Sequence, residues 1–593
     1  GNTRKNNMRT RFFGVLNPFK GFTITGSYSY EFVDLFQDRK PVFLDGWNFT
    51  DNTVTLPGAG KTSITNVSDK IERFFNDLVA NYETSLFDSR MNLKAMVGAS
   101  QELYREKKFS ARRYNLIDPN LDVIDGAVGE SSSSGSRTEW VMHSHFGRLN
   151  LDWDNKYLLE INLRTDASSR FAKNKRRGYF PSVSGAWRID QEAFMAPLTE
   201  KGLSNLKLRA SYGSLGNNSV GNYDALSTYS NIFHNHKLGY VLNNTAMTAL
   251  AQPAIANPDL SWESTYVTDF GIDFGLAGNR LTGTIDYFDK KTKNILINLP
   301  APAVHGTVSI PKQNSAQVTN RGIEITLGWR DRIGDFSYSA EVNFTHITNN
   351  VDKFKGKEYS LSGTNMIKEG LPINAQYMLR VDRIIQTDED LALVQKMIDN
   401  APVVNGKKVN PFAAYGRPQK GDLLYKDING DGVIDEKDRT VVSDGPNPKY
   451  HFGLNLGASY KGIDFSVLLQ GQAGVKVYWQ HSPYNTPTVR TGYQINKAIA
   501  DGRWYEGRTD ATYPRLLDYS DRRNTIASDF YLEDKAFLKI RNIQLGYTFP
   551  KSLTQKVRIE RIRLYGSLEN FFTFDHLRGL PIDPEAISGY SMF

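Results

Sequence analysis

Residues 262–276 read WESTYVTDFGIDFGL, and their order is an alternation. Trp262, Tyr266, Phe270, Ile272, Phe274 and Leu276 fall on one face of an extended chain, and Glu263, Thr265, Asp269, Gly271, Asp273 and Gly275 on the other. Successive side chains of a strand point to opposite faces, so this is a strand with one apolar and one polar side. Working outward, Ala277-Gly278-Asn279-Arg280 is a turn signal, after which Leu281, Ile285 and Tyr287 alternate with Thr282, Thr284 and Asp286. The pair is a hairpin. The unit recurs at 149–163 around Asp154-Asn155-Lys156, at 323–347 around Asp331 to Asp335, and at 450–473 around Lys461-Gly462. Counted this way, the chain holds roughly fifteen to seventeen long strands, more than one sandwich needs.

The 593 residues carry 12% aromatic residues and 48 glycines, with 40% hydrophobic residues and a mean hydropathy of −0.46. No apolar run reaches the length of a membrane helix, but barrel strands alternate lipid-facing and lumen-facing residues and keep average hydropathy low. Short turns alternate with long segments near 27–69, 108–137, 214–260, 351–447 and 474–534, so the two ends of the architecture differ chemically. Aromatic residues cluster where strands meet turns, at Tyr157, Tyr287-Phe288, Tyr547 and Phe549. Together these predict an all-β, antiparallel transmembrane β-barrel with long extracellular loops. Its apolar face, including Tyr266, Phe270, Ile272, Phe452, Leu454 and Phe465, should meet lipid, with Thr265, Asp269, Asp273, Asn455 and Ser466 facing the lumen.

Cysteine is absent, which excludes disulfides, thiol catalysis and Cys-based metal sites. The net charge of +8 is scattered and comes without a nucleic-acid-binding motif, so no nucleic-acid partner is expected. Thr387 to Asn400 departs from the β pattern: a capping Thr387, acids in the first turn, and Leu391, Val394, Met397 and Ile398 at helical spacing predict a short helix inside the 351–447 loop.

The sharpest local signal is 427–438, DINGDGVIDEKD. Asp427, Asn429, Asp431, the Val433 carbonyl, Asp435 and Asp438 match the ligand positions of a calcium loop, with Gly432 at the sharp turn. The twelfth residue is Asp where Glu is usual, a shorter arm that admits magnesium as the alternative ion. His143/His145 and His234/His236 could each present two imidazoles, but neither pair has a third ligand nearby in sequence. Tyr478-Trp479 and Trp504-Tyr505, where a strand enters the 474–534 segment, are candidate ligand platforms because flat aromatic faces stack on sugar rings and peptide side chains. No nucleophile elbow, phosphate loop or His-Glu-x-x-His motif is present, and no enzymatic activity is expected.

Several phrases together resemble the SusC/RagA-type TonB-dependent outer-membrane transporters of Bacteroidetes. They are Tyr157–Phe171, Gly178–Arg188, Leu206–Asn217, Asn320-Arg-Gly-Ile-Glu-Ile325, Gly421–Asp427 with its calcium-type loop, Phe537–Tyr547 and Leu568-Glu-Asn-Phe571. The resemblance implies a 22-stranded barrel in the bacterial outer membrane, filled by an N-terminal plug and driven by a TonB complex. It also implies a SusD-type lipoprotein lid capturing glycan or peptide, with transporter and lid pairing further into a dimer. Plug and TonB box are not seen before Gly1, and the sequence reaches Phe593 before a recognisable closing strand, so the expectation is the barrel portion of a longer chain. A passive porin and a soluble, calcium-clipped glycan-binding β protein are the alternatives. The long loops 351–447 and 474–534 look too costly to order alone, since fixing backbone costs about 1–2 kcal/mol per residue, so a docked partner is expected there.

Overall fold

The computed structural model describes residues 2–40, 46–48, 53–55, 62–118, 120–231, 240–242, 245–247, 250–251, 255–297, 312–355, 358–479, 486–489, 494–580 and 582–586. His234, His236 and the last residues, 587–593, lie outside them. Sixteen long strands form the wall. They are β1 (Asn2–Phe19), β2 (Phe22–Arg39), β3 (Ser63–Leu86), β4 (Met91–Tyr114), β5 (Ser131–Trp153), β6 (Tyr157–Ser168), β7 (Arg177–Arg188), β8 (Leu203–Asn217), β9 (Glu263–Leu276), β10 (Leu281–Ile297), β11 (Gln313–Ile333), β12 (Phe336–Phe354), β13 (Tyr450–Tyr460), β14 (Ile463–Ala473), β15 (Leu532–Thr548) and β16 (Arg563–His576). With the short strand Lys476–Tyr478 they make a 17-stranded sheet in which each strand pairs with its neighbours in sequence, antiparallel wherever the register is resolved.

The four hairpins read from the sequence are present, and their turns have the backbone the residues suggest. Lys461 and Gly462 have φ of +46° and +91°, the left-handed pair that matches strand twist in a two-residue hairpin, and in the three-residue loop between Trp153 and Tyr157 both Asp154 and Asn155 have φ near +53°. Cross-strand register keeps the faces consistent. Ile325, Phe344 and Phe452 stand in one row, and Leu327, Val342, Leu454 and Leu469 in another, while Glu341 and Asn455 share the opposite face.

The apolar face is the exposed one. Phe270 is 56% exposed, Leu78 57% and Val97 64%, and neither Phe270 nor Leu454 belongs to a buried cluster. A soluble sheet would cover such residues; a sheet whose solvent on that side is lipid need not. Among the described residues the buried clusters gather the connecting segments and strand ends instead. Trp262 is a correction: it precedes β9 and is buried with Phe171, Phe180, Val220 and Leu260, its indole N–H donating to the Arg176 carbonyl at 2.8 Å.

Two glycines sit under rings. A side-chain carbon at Gly98 would lie 2.4 Å from the ring of its cross-strand partner Phe146, and one at Gly471 would lie 2.4 Å from the ring of Phe452. Each ring occupies the space its partner lacks.

The chain forms two compact units. The first holds residues 1–187, 211–266 and 294–314, and the second 188–210, 267–293 and 315–593. In the first, the segments 27–69 and 108–137, expected as loops, hold the ends of four long strands: β2 runs to Arg39, β3 begins at Ser63, β4 runs to Tyr114 and β5 begins at Ser131. β3 and β4 have 24 residues each and β5 has 23. At about 3.3 Å per residue and a tilt near 40°, such strands rise about 60 Å, roughly twice the apolar band of a barrel. Beyond the band both faces meet water, alternation lapses, and Ser131 to Ser136 can continue a ladder without an apolar residue; that is why the pattern read as loop. At the short-turn end of this unit Phe19 stacks on Phe22, Phe87 meets Trp153, and Tyr157 stacks on Trp187. In the second unit Phe336–Tyr338 and Tyr547–Phe549 occupy the corresponding strand ends.

Candidate functional site

In the second unit the two long segments, 351–447 and 474–534, fold against each other. Helix α1 (Asp388–Asp399) begins where the sequence places it. The Thr387 hydroxyl accepts the Asp390 N–H, and the Asp390 carboxylate accepts the N–H groups of Gln386 and Thr387. Burial works to raise the Asp390 pKa, but those two N–H groups and the Arg383 guanidinium at 3.0 Å outweigh it and hold the carboxyl below its ordinary value. The helix lays Val394 into a core of Leu379, Ile385, Phe412, Leu423, Leu424, Tyr425 and Ile434, and Ile526 and Phe530 of the other segment close it.

A polar clasp joins the segments beside this core. Asp422 is fully buried; its carboxylate accepts Arg515 Nε at 2.7 Å and Nη2 at 3.1 Å, Asn524 Nδ2 at 3.0 Å and the Gln419 N–H at 2.9 Å. Asn524 returns its side-chain oxygen to the Leu423 N–H at 2.9 Å, and the Tyr425 hydroxyl donates to the Arg523 carbonyl at 2.8 Å. Burial pushes the Tyr425 phenol well above its ordinary pKa, so the donor stays protonated. The entropic argument for an external partner therefore fails for these loops: they order one another.

The 427–438 loop coils as its residues predict. Asp427 Oδ1 accepts the Gly430 N–H at 2.7 Å and Oδ2 the Gly432 N–H at 2.8 Å; Asn429 Oδ1 accepts Asp431 N–H at 2.8 Å and Asp431 Oδ1 accepts Val433 N–H at 2.9 Å. Gly432 takes φ +77° with Pro402 Cδ 3.0 Å from where a Cβ would sit, so glycine is required twice over. The oxygen-only donors suit a hard cation. Asp438 fits less well. It is fully buried, with Oδ1 accepting the Ile428 and Asn429 N–H groups and Oδ2 the Asp435 N–H, and so it anchors backbone instead of facing a shared centre. Among the described residues no three His, Asp or Glu side chains stand close enough to hold a metal ion.

The four aromatic candidates do not form one platform. Trp479 packs against Val475, Val477, Leu577 and Leu580, and Tyr478 is largely buried, which raises its pKa. Trp504 is 8% exposed with its ring against Gly421, so its faces are used in packing and it offers no open one. Tyr505 is exposed, with the Arg508 guanidinium 5.7 Å over its ring. His143 and His145 are exposed on the apolar side of β5, and neither belongs to a group of three ligands.

The polar face carries what a strand-by-strand reading misses. In the first unit Arg164 Nε contacts Asp166 at 2.9 Å and Nη2 donates to Ser144 at 3.1 Å, beside a cavity of about 260 Å³ lined also by Asp77, Ser100 and Glu102. In the second, Arg209 binds Asp273 at 2.9 and 3.0 Å and Asp286 at 2.9 Å, with Lys207 3.4 Å from Asp273. The signal available was parity: Asp269 and Asp273 lie on the polar side of β9, and partners become visible only once register is known.

A family model described as TonB dependent receptor-like, beta-barrel, matches residues 1–571. TonB-dependent receptor P3 of Formosa agariphila is 27% identical over 569 residues, 94% of this chain and 54% of the relative. TonB-dependent receptor SusC of Bacteroides thetaiotaomicron is 28% identical over 502 residues, 83% of this chain and 46% of the relative. The chain thus spans about half the length of the curated relatives it matches. Among solved structures, the RagAB peptide transporter superposes with a TM-score of 0.78 at 22% identity, over 99% of this chain and 60% of that chain, which shows a shared fold.

Proposed function

We propose that this chain, which belongs to the TonB-dependent receptor-like β-barrel family, is the barrel portion of an outer-membrane importer of oligosaccharides or peptides. Location in the outer membrane follows from the family and from strands that expose their apolar face. The observation that carries the import reading is the contrast between that face and the ordered loop layer. A passive pore needs only a wall, whereas here the described residues of the two long loop segments are folded together, with their own core and buried charge clasp. The soluble reading is abandoned, since it leaves Phe270, Val97 and Leu78 facing water.

In this reading a TonB complex supplies energy, a SusD-type lipoprotein meets the outer side of the loop layer, and the chain performs no covalent chemistry. The 427–438 loop acts as a calcium or magnesium clip. Asp427, Asn429, Asp431, the Val433 carbonyl and Asp435 are the donors once their side chains turn from the loop N–H groups they now cap to a shared centre, and Asp438 holds the backbone. Calorimetry on the intact protein should detect a divalent cation whose binding Asp427→Ala abolishes; no binding would reduce the loop to a self-capped turn. Import is tested by uptake of labelled oligosaccharide or peptide in cells with and without the protein. Uptake that survives collapse of the inner-membrane proton gradient would sink the importer and leave a porin.

A further inference from the structure

In the first unit, β3, β4 and β5 share an unbroken register, and their lipid-facing side chains stand in rows. Phe74, Leu103 and Val141 form one row, and the next toward the long-loop end is Glu72, Arg105 and Glu139. The row after that is Lys70, Lys107 and Arg137. From Leu93 to Leu103 the lipid-facing side of β4 runs about ten residues, a rise of about 25 Å at a tilt near 40°, which is the height of the apolar band. The three cations therefore lie just past the band, at the end that carries the long extracellular loops and at the depth of the outer-leaflet headgroups. Like charges directly opposite one another on adjacent strands repel, their β-carbons being about 5 Å apart. All three side chains are exposed. Arg137 shares Glu139, at 3.5 Å, with Arg105, at 3.6 Å. Lys70 and Lys107 have no ion pair among the described residues, although Asp34 stands opposite Lys70 on β2, and Glu72 accepts the Tyr30 hydroxyl at 3.3 Å. One row further out, Phe109 is 53% exposed between Ser68 and Gly135.

We propose that Lys70, Lys107 and Arg137 bind the phosphate of a phosphorylated glycolipid in the outer leaflet. The proposal goes beyond the import reading and needs only location in the outer membrane. Cations at a bilayer boundary attract anionic headgroups, lysine as a point charge and arginine through its planar fork. A phosphate set among three mutually repelling cations turns their repulsion into attraction, and it supplies the counter-charge that Glu139, already shared, does not. Asp34 and Glu72 border Lys70, so the seat of the phosphate is between Lys107 and Arg137, with Lys70 as the third cation. Phe109 fits the sugar part of such a headgroup, since an exposed ring offers a flat face for a sugar to stack on. Gly135 beside it has no side chain to cover that face. An acidic protein would also answer the charge, but the row faces sideways from the wall, where lipid is the neighbour.

The test uses the intact protein in a non-ionic detergent, with native mass spectrometry to follow bound lipid and thermal melting to follow its effect. The probes are lipid A, lipid A treated with phosphatase, and inorganic phosphate. Lipid A should bind and raise the melting temperature, the treated lipid should bind about tenfold more weakly, and inorganic phosphate at the same concentration should leave melting unchanged. Lys70→Gln combined with Lys107→Gln should weaken lipid A about tenfold or more, since each cation at an anionic lipid surface is worth roughly a fivefold factor. Without lipid that variant should melt no lower than the parent, because it gives up repulsion and no ion pair, a result that a merely structural role for the lysines would not produce. Lys407→Gln combined with Lys408→Gln removes the same charge from an exposed loop of the second unit and should bind lipid A as the parent does. Lipid A bound equally by parent and Lys70/Lys107 variant, treated lipid bound as well as lipid A, or equal losses in the two double variants would overturn the proposal. Stabilisation by inorganic phosphate equal to that by lipid A would also overturn it, leaving a site for free phosphate and none for lipid.

Discussion

Replacing Asp422 by Ala should loosen both long segments together and leave the wall intact. Removing one partner of a fully buried ion pair costs about 3–5 kcal/mol, because the other charge stays behind unpaired. Arg515 keeps 26% of its side chain exposed and can recruit water, so the low end applies, about 3 kcal/mol. That is roughly a 150-fold rise in the open population. Amide hydrogen exchange reads this directly where exchange proceeds through local opening. The reporters are the Leu423 N–H held by Asn524, the Arg515 N–H held by the Gly421 carbonyl, and the Ile385 N–H held by the Asp422 carbonyl. All three should exchange about a hundredfold faster in the variant, whereas amides of β11 and β12 should not change. Asp422→Asn keeps the shape but loses the charge and should fall between. If Asp422→Ala leaves protection in 419–425 and 515–526 unaltered, the two segments are not held by this clasp and something outside the chain orders them.

Ile272→Arg, on the apolar face of β9, should cost about 2–4 kcal/mol of folded barrel near the bilayer midplane, read as a loss of the heat-modifiable band on a gel, while Asn455→Arg on the polar face should be near neutral. Gly432→Ala should destabilise the cation loop by about 1 kcal/mol or more from its left-handed backbone and the Pro402 contact, visible as a weaker response of the melting temperature to added calcium. The capping carboxylate of Asp390 titrates below its ordinary 3.8, so its stabilisation of α1 is fully present above that pH and lost as the pH falls through the lowered value. Protease protection of 387–400 should therefore be flat from about pH 8 to 5 and decline below about pH 4. Asp390→Asn should remove that dependence.

Most of the wall could be read from residue order because a membrane barrel writes its two solvents into alternate positions. β9, β10, β13 and β14 are examples in which face, turn and pairing all follow from parity. The same logic explains why the ends of 27–69 and 108–137 look like loop in the sequence: there β2, β3, β4 and β5 outlive the lipid, and the code stops although the ladder does not. Helix α1 was legible through its cap, and the 427–438 coil through its glycine and acids. The clasp was not, because Asp422 and Arg515 are 93 residues apart in segments with no periodicity of their own. Nor was the fate of Trp504, since an aromatic pair looks the same in sequence whether its rings face a ligand or a glycine.

The rings resting on Gly98 and Gly471 bear on how such a wall is put together. Alternation alone forbids a slip of one residue, which would turn every side chain to the wrong solvent, but it is blind to a slip of two. A two-residue slip would set Phe146 against Met96 or Ser100, and Phe452 against Leu469 or Ala473, whose side chains would displace the ring from the place it takes over the glycine. The glycines therefore act as alignment marks. A hairpin joining the growing sheet finds one position where its ring drops into a notch, and the chain carries its own ruler for an event that residue polarity could not measure.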